Sequence, residues 1–307
     1  MPPRRILVTG ASGFVGKHLV PALRHAFPAA SITEASFDVT DPAAVRDGIA
    51  AAGPDVVVHL AAVAAIPAAR QNPDLAWQVN LNGTLNLARA VMADAPGCML
   101  VFASSADIYG ASFRAGRPLD EGAALAPLNT YAATKAAADL ALGALAAEGL
   151  RVVRVRPFNH TGPGQGASFV VPAFAGQVAR IAAGQQEPVL HVGALDPFRD
   201  FLDVRDVCAG YAACLARPDQ WAPGAILNLA SGQPRRVGDV LDALMRLAGV
   251  HAEIRADQGR MRPTDIPLAV GDAKLARQVL GWAPAIPWEQ TLQDVLADWH
   301  ARVAADG

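Results

Sequence analysis

The chain has 307 residues, enough for one large domain or two unequal ones with a sizeable buried core. Hydrophobic residues make up 52% of it and charged residues 18%, which excludes a disordered chain. A net charge of −2 gives no reason to expect nucleic acid or an anionic membrane as partner, so any anionic ligand must be held by a few local groups.

Arg4 and Arg5 lead straight into a first apolar strand at residues 6–8, with no secretory signal ahead of it. A cytoplasmic protein is expected. The glycines at 10, 13 and 16 follow, and then residues 17–23 with apolar side chains at helical spacing. Strand, glycine turn and helix in that order is the context a dinucleotide site requires. Gly10 would turn the chain out of the strand. Gly13 would let backbone N–H groups approach a pyrophosphate, and Gly16 would let the helix pack on the sheet. A second strand is predicted at 31–35, with Asp38 and Val39 just beyond it. Asp41-Pro42 reads as a helix start. Residues 55–62 read as a third strand and 73–93 as one long helix. A fourth strand at 98–103 ends in Ser104-Ser105, and a helix from about 129 carries Tyr131 and Lys135. A fifth strand spans 150–157. The most apolar stretch, 56–69, is too short to span a membrane and is broken by His59 and Pro67.

Strands alternating with helices imply right-handed crossovers and a parallel, doubly wound α/β sheet, with ligands gathered at the carboxyl ends of the strands. Gly10, Asp38, Leu60, Ser105 and Pro157 all fall at such ends. After Asn159 the rhythm changes at a turn-rich joint, 162–166. A helix at 172–183, a strand at 189–192, a helix at 204–216 and a strand at 225–229 follow, then helices at 237–248 and 288–303. The expected division is a Rossmann-type dinucleotide domain from 1–159 plus about 203–230, and a smaller α/β substrate lobe from about 160–202 and 231–307. Cys98, Cys208 and Cys214 lack metal spacing, so they are read as small buried hydrophobes in a reducing compartment and no metal site is expected.

Tyr131 and Lys135 stand one turn apart on one helix face. A tyrosine needs help to exchange a proton near neutrality, and a nearby ammonium would lower its pKa. Ser105 could hydrogen-bond a reacting oxygen. Taken alone, the Tyr/Lys pair reads more readily as a solvated helix pair, and it is the glycine loop and the Ser-Ser strand end that reverse this.

The glycine loop with Asp38-Val39, His59-Leu60-Ala61-Ala62, Asn80, Ser104-Ser105, Tyr109-Gly110 and Tyr131…Lys135 resembles the extended short-chain dehydrogenase/reductase family over nearly the whole chain. The resemblance implies enzymes of nucleotide sugars. It implies Ser105, Tyr131 and Lys135 as catalytic residues. It implies NADP or NAD held by Gly10, Ser12, Gly13, Phe14, Val15, Gly16, Asp38, Val39, Leu60, Ala61, Ala62, Asn80, Tyr131, Lys135, Pro157 and Phe158. The stretches 156–165, 168–170, 199–207 and 261–263 resemble the family's reductases of GDP-bound 4-keto-6-deoxyhexoses. That implies a GDP-sugar substrate met by Ser105, Asp107, Asn159, Phe169, Val170, Arg180, Arg199 and Arg262. Arginine suits the diphosphate through its planar fork, although Arg199-Asp200 could equally be a local salt bridge. Related 4,6-dehydratases carry a glutamate where this chain has Asp107. Related 3,5-epimerising reductases carry a cysteine there and a histidine at the place of Phe169, so plain reduction is favoured. A 4-epimerase or dehydratase with retained cofactor, and a binding protein that lost catalysis, are the competing readings. The family commonly dimerises through the helices at 73–93 and 129–147, and a homodimer is expected here.

Overall fold

A computed structural model describes residues 1–257, 259 and 266–306. Six parallel strands form the main sheet in the order β2-β1-β3-β4-β5-β9. They are β1 (Arg5–Thr9), β2 (Ser31–Glu34), β3 (Val56–His59), β4 (Met99–Ala103), β5 (Arg151–Pro157) and β9 (Ala225–Leu229). Because strand side chains alternate between faces, the sheet builds two cores. Ile6, Val8, Val56, Val58, Val101 and Val155 face α1 (Phe14–Ala26) and α8 (Val204–Ala216). Leu7, Val57, Leu100 and Val152 face α2 (Pro42–Ala52), α5 (Thr84–Asp94) and α6 (Thr130–Ala147). Both faces are covered, which explains why the strands read as unbroken apolar runs.

Local chemistry sets the helix starts. Asp41 accepts from the Ala43 and Ala44 N–H groups with Pro42 in the first turn, and Asn129 accepts from Ala132 N to open α6. The single helix predicted at 73–93 is broken. After α3 (Ile66–Gln71), α4 (Pro73–Trp77) runs into a π-turn, Gln78–Gly83, before α5 begins. The wider turn aims Asn80 inward. Its side chain bonds both the N–H and the C=O of Val63, and the Thr134 hydroxyl on α6.

Beyond β5 the chain builds a second, four-stranded sheet from β6 (Asn159–Thr161), β8 (Phe198–Asp203), β10 (Pro234–Arg236) and β12 (Leu268–Ala269). A parallel pair joins β7 (Val189–Val192) to β11 (Glu253–Ala256). Helices α7 (Val170–Ala182), α9 (Val237–Ala248) and α11 (Trp288–Asp306) close a third core with Phe201, Leu241 and Val295 at its centre. A short helix, α10 (Lys274–Leu280), packs beside β9. No helix among the described residues is long and apolar enough to cross a membrane.

Candidate active site

The loop between β1 and α1 lies at the carboxyl edge of the main sheet. Gly10 has φ +70°, and a Cβ there would lie 2.6 Å from the Ala61 amide nitrogen. At Gly16 a Cβ would collide with the Ala11 backbone. Both glycines are demanded by the fold itself. Gly13 differs. Its φ is −73°, and an added Cβ would meet only the Gly10 carbonyl, at 3.2 Å. The first turn of α1 carries no side-chain cap, so the Phe14, Val15 and Gly16 amides point out beside exposed Ser12. This cradle fits the pyrophosphate of a dinucleotide. Phe14 stacks on His160 at 6.2 Å and meets His18 edge-on, and His18 bonds the Pro163 carbonyl at 2.7 Å. These contacts fasten the loop to the turn-rich joint.

Asp38 closes its own turn, accepting from Thr40 N and Thr40 Oγ1 at 2.8 Å each. Val39 is buried against Gly83, where a Cβ would come within 2.7 Å of it. Leu60, Ala61 and Ala62 leave the end of β3 beside the glycine loop. His59, fully buried, organises this edge. The Thr84 hydroxyl donates to the Asn80 carbonyl, so it must accept from Nε2–H of His59. Nδ1 then accepts from Thr9 Oγ1 at 2.7 Å, and that hydroxyl in turn accepts from the Ala61 amide. Burial, with the nearby Lys135 charge, lowers the imidazole to about 3 and keeps it neutral.

Ser105, extended and two residues beyond the end of β4, accepts from the Asp107 amide at 3.1 Å, opening a 3₁₀ segment, Ala106–Ala115. Tyr131 and Lys135 project from α6 towards it. Lys135 Nζ donates to the Ala103 carbonyl at 2.6 Å and stands 4.8 Å from the Phe102 ring centre. Burial brings the ammonium down to about 7, against the opposing pull of Asp139. The expected lowering of Tyr131 by Lys135 is corrected here. Burial pushes the phenol above its usual range, the Asp107 carboxylate adds to this, and the Ser105 hydroxyl pulls the other way. The lysine is engaged with a backbone carbonyl, and the phenol responds to its own desolvation.

The residues expected to meet a substrate, apart from Ser105 and Asp107, fall in the second half of the chain, after the cofactor candidates Pro157 and Phe158. Pro157 ends β5, and Phe158 is buried beneath Gly271. Asn159 begins β6, in register with Phe201. Phe169 precedes α7 as its N-cap residue, and Val170 is the first helical residue. Arg180 is not brought to them. It lies in the last turn, about 15 Å along the axis at 1.5 Å per residue, bonded to Gln186. Arg199 donates to the Phe198 and Ile266 carbonyls at 2.8 and 3.1 Å. Asp200 turns to the opposite face and is satisfied by Ser231, Gly232 and Gly271. The alternation of the strand separates Arg199 and Asp200. Arg262 lies outside the described residues.

One group was missed from the sequence. Asp139 is wholly buried and accepts from Ser104, Arg154 and Arg156, while Arg156 also donates to the Tyr109 hydroxyl. Two signals could have found it: an aspartate eight residues after Tyr131 on one helix face, and arginines interrupting an apolar strand.

Residues 6–230 match the model of the NAD dependent epimerase/dehydratase family. The chain is 38% identical over 303 residues, covering 98% of each protein, to the GDP-6-deoxy-D-mannose reductase of Pseudomonas aeruginosa. It is 30% identical to the GDP-6-deoxy-D-talose 4-dehydrogenase of Aggregatibacter actinomycetemcomitans, covering 90% of this chain and 91% of that one. The structure of RMD from P. aeruginosa complexed with NADPH superposes with a TM-score of 0.88 at 36% identity, covering 97% of this chain and 98% of the other.

Proposed function

The chain belongs to the NAD dependent epimerase/dehydratase family, and from that premise we propose that it reduces the 4-keto group of GDP-4-keto-6-deoxy-D-mannose to a GDP-6-deoxyhexose of the GDP-D-rhamnose type, with NADPH or NADH. The observation that carries this is the 38% identity to the P. aeruginosa reductase over 98% of both chains, which takes in the substrate lobe as well as the glycine loop.

The cofactor-binding part is 1–159 with about 203–230, a grouping supported by β9 lying beside β5. The sugar-binding part is about 160–202 and 231–307. Gly10, Ser12, Gly13, Phe14, Val15 and Gly16 hold the pyrophosphate. Asp38 and Val39 meet the adenosine end, and Leu60, Ala61, Ala62, Pro157 and Phe158 line the rest. When bound, the reduced nicotinamide supplies the hydride that C4 accepts. Tyr131 gives its proton to O4 as the oxygen becomes basic. A phenol held above its usual range keeps that proton until then. Ser105 orients O4 by hydrogen bonding. Lys135, near neutrality in its affinity for a proton, grips the ribose and restores the proton to Tyr131. Asn159, Phe169, Val170, Asp107 and Arg199 lie towards the GDP-sugar, with Arg262 assigned by resemblance.

Exposed Leu75 and Trp77 on α4 and Leu140 on α6 support a homodimer through these helices. Three free, buried cysteines support a reducing, cytoplasmic setting. The test is stoichiometry and base preference. One NAD(P)H should be consumed per GDP-4-keto-6-deoxy-D-mannose reduced, and calorimetry with cofactor present should rank GDP above UDP and dTDP. Turnover of a GDP-hexose without added reductant would turn the assignment to an epimerase or dehydratase. Equal or tighter binding of UDP or dTDP would overturn the substrate and leave the reductase chemistry.

A further inference from the structure

Asp139 has no place in the reaction so far, yet its wholly buried carboxylate accepts from Ser104, Arg154 and Arg156. It sits two turns after Tyr131 and one after Lys135, so the three share a helix face. At 1.5 Å per residue it is about 12 Å along the axis from Tyr131, too far to touch a substrate there. Its contacts run to the elements that carry the chemistry. Ser104, the neighbour of Ser105, donates to Oδ2 at 2.7 Å. Arg156 grips both oxygens, through Nη2 at 2.8 Å and Nε at 3.1 Å, and Arg154 adds a bond at 3.0 Å. Arg156 passes on to Tyr109 Oη, which donates to Asn228. One carboxylate thus joins α6 to β4, to β5 and, through Arg156, to the 3₁₀ segment after Ser105.

We propose that Asp139 is a positioning residue: it fixes the strand end bearing Ser105 against the helix face bearing Tyr131 and Lys135, and it supplies the negative potential in which the Lys135 ammonium sits. This rests on the catalytic assignment of those three residues. Around Lys135 stand the Ala103 carbonyl and Phe102 ring from β4 and neutral His59 from β3, with Tyr131 one turn before it and Asp139 one turn after it on its own helix. Behind Asp139 stand Arg154 and Arg156 from β5. Two guanidinium groups thus pair with the anion whose charge also favours the Lys135 ammonium one helical turn away. Removing the anion must make Lys135 shed its proton more readily, and removing a competing arginine must do the reverse. A merely structural brace would change stability without moving the lysine in opposite directions.

The chain has three lysines, Lys17, Lys135 and Lys274, and the other two are exposed references. Lysine side chains labelled with ¹³C and ¹⁵N can be titrated by NMR in the full chain, with Lys135 assigned by its loss in Lys135→Arg. Asp139→Asn, which keeps the side-chain shape, should move the Lys135 midpoint to lower pH by at least one unit, a tenfold change in its acid constant. Arg154→Met should move it to higher pH. Ser104→Ala should lower kcat several-fold and leave the midpoint in place. If Asp139→Asn does not fold, Arg154→Met alone decides the electrostatic part. A midpoint unmoved in the folded charge variants overturns the proposal, and wild-type kcat in Ser104→Ala overturns the tie to Ser105. Because the midpoint is read without substrate, it is independent of the reaction. If it moves as expected while kcat ignores the Lys135 protonation state, Asp139 keeps its role and the catalytic assignment falls.

Discussion

Tyr131 and His59 show how burial sets the chemistry of single side chains. Desolvation raises the phenol and lowers the imidazole, because it penalises whichever form is charged. A raised phenol is protonated at neutral pH and gives up its proton only to a strong base such as an alkoxide. Tyr131→Phe should bind NADPH as the wild type does and lose at least about a hundredfold in kcat, the usual contribution of a general acid. Stopped-flow fluorescence and a turnover assay check the two halves. His59 gives a pH dependence. Its folded value is lowered to about 3 from 6.5, so between those values the unfolded chain binds a proton that the folded chain refuses. Stability should therefore fall as pH drops through that window, by up to about 1.4 kcal/mol per pH unit. The difference in unfolding free energy between wild type and His59→Asn, measured by denaturant from pH 7 to pH 4, should show this slope. A pH-independent difference would mean that His59 charges in the fold.

At the scale of elements, the glycine loop separates what the fold needs from what a ligand needs. Gly16→Ala would drive a methyl into the Ala11 backbone, and circular dichroism should show a destabilised or unfolded chain. Gly13→Ala meets only one carbonyl, at 3.2 Å, in a backbone conformation alanine accepts. It should fold with a wild-type Tm and bind NADPH at least tenfold more weakly, since the methyl would occupy space a phosphate needs. Retained affinity would remove Gly13 from the cofactor site. The π-turn makes a parallel point. Asn80→Ala abandons the part-buried Val63 amide and carbonyl and removes one donor to Thr134, and leaving a buried group unpaired costs about 1–3 kcal/mol. Thermal unfolding should report a loss of about 3 kcal/mol. The break at Gln78–Gly83 was not legible beforehand, because residues 73–93 keep helical spacing on both sides of it. What demands the wider turn is Val63, far enough away in sequence to be invisible to a local pattern.

For the whole molecule, the sheets and the surface pose the last question. Leu140 is 59% exposed on α6, and Leu75 and Trp77 are 46% and 38% exposed on α4, which packs against it. Three large apolar groups on neighbouring helices suit a second copy better than water. Light scattering at micromolar concentration should give the mass of a dimer, and Leu140→Lys should give a monomer. A wild-type monomer would reject the helix-paired dimer.

The local patterns in the sequence determined the main sheet, the glycine loop and the Tyr131–Lys135 pair. Each is written in neighbouring residues: an apolar run, three glycines at fixed spacing, two side chains one helical turn apart. The helix at 204–216 and the strands at 189–192 and 225–229 were read to the residue for the same reason. Strands β6, β10, β11 and β12 escaped because they are short edge strands, and β8, though central, because all its pairing comes from these distant partners. The tertiary structure alone decided that Arg199 and Asp200 part to opposite sides of β8, that Lys135 leans on the Ala103 carbonyl, and that Asp139 anchors two arginines from β5. Burial and charge pairing at those positions are properties of the assembled interior, where desolvation depends on every element packed around a side chain, most of them distant in sequence.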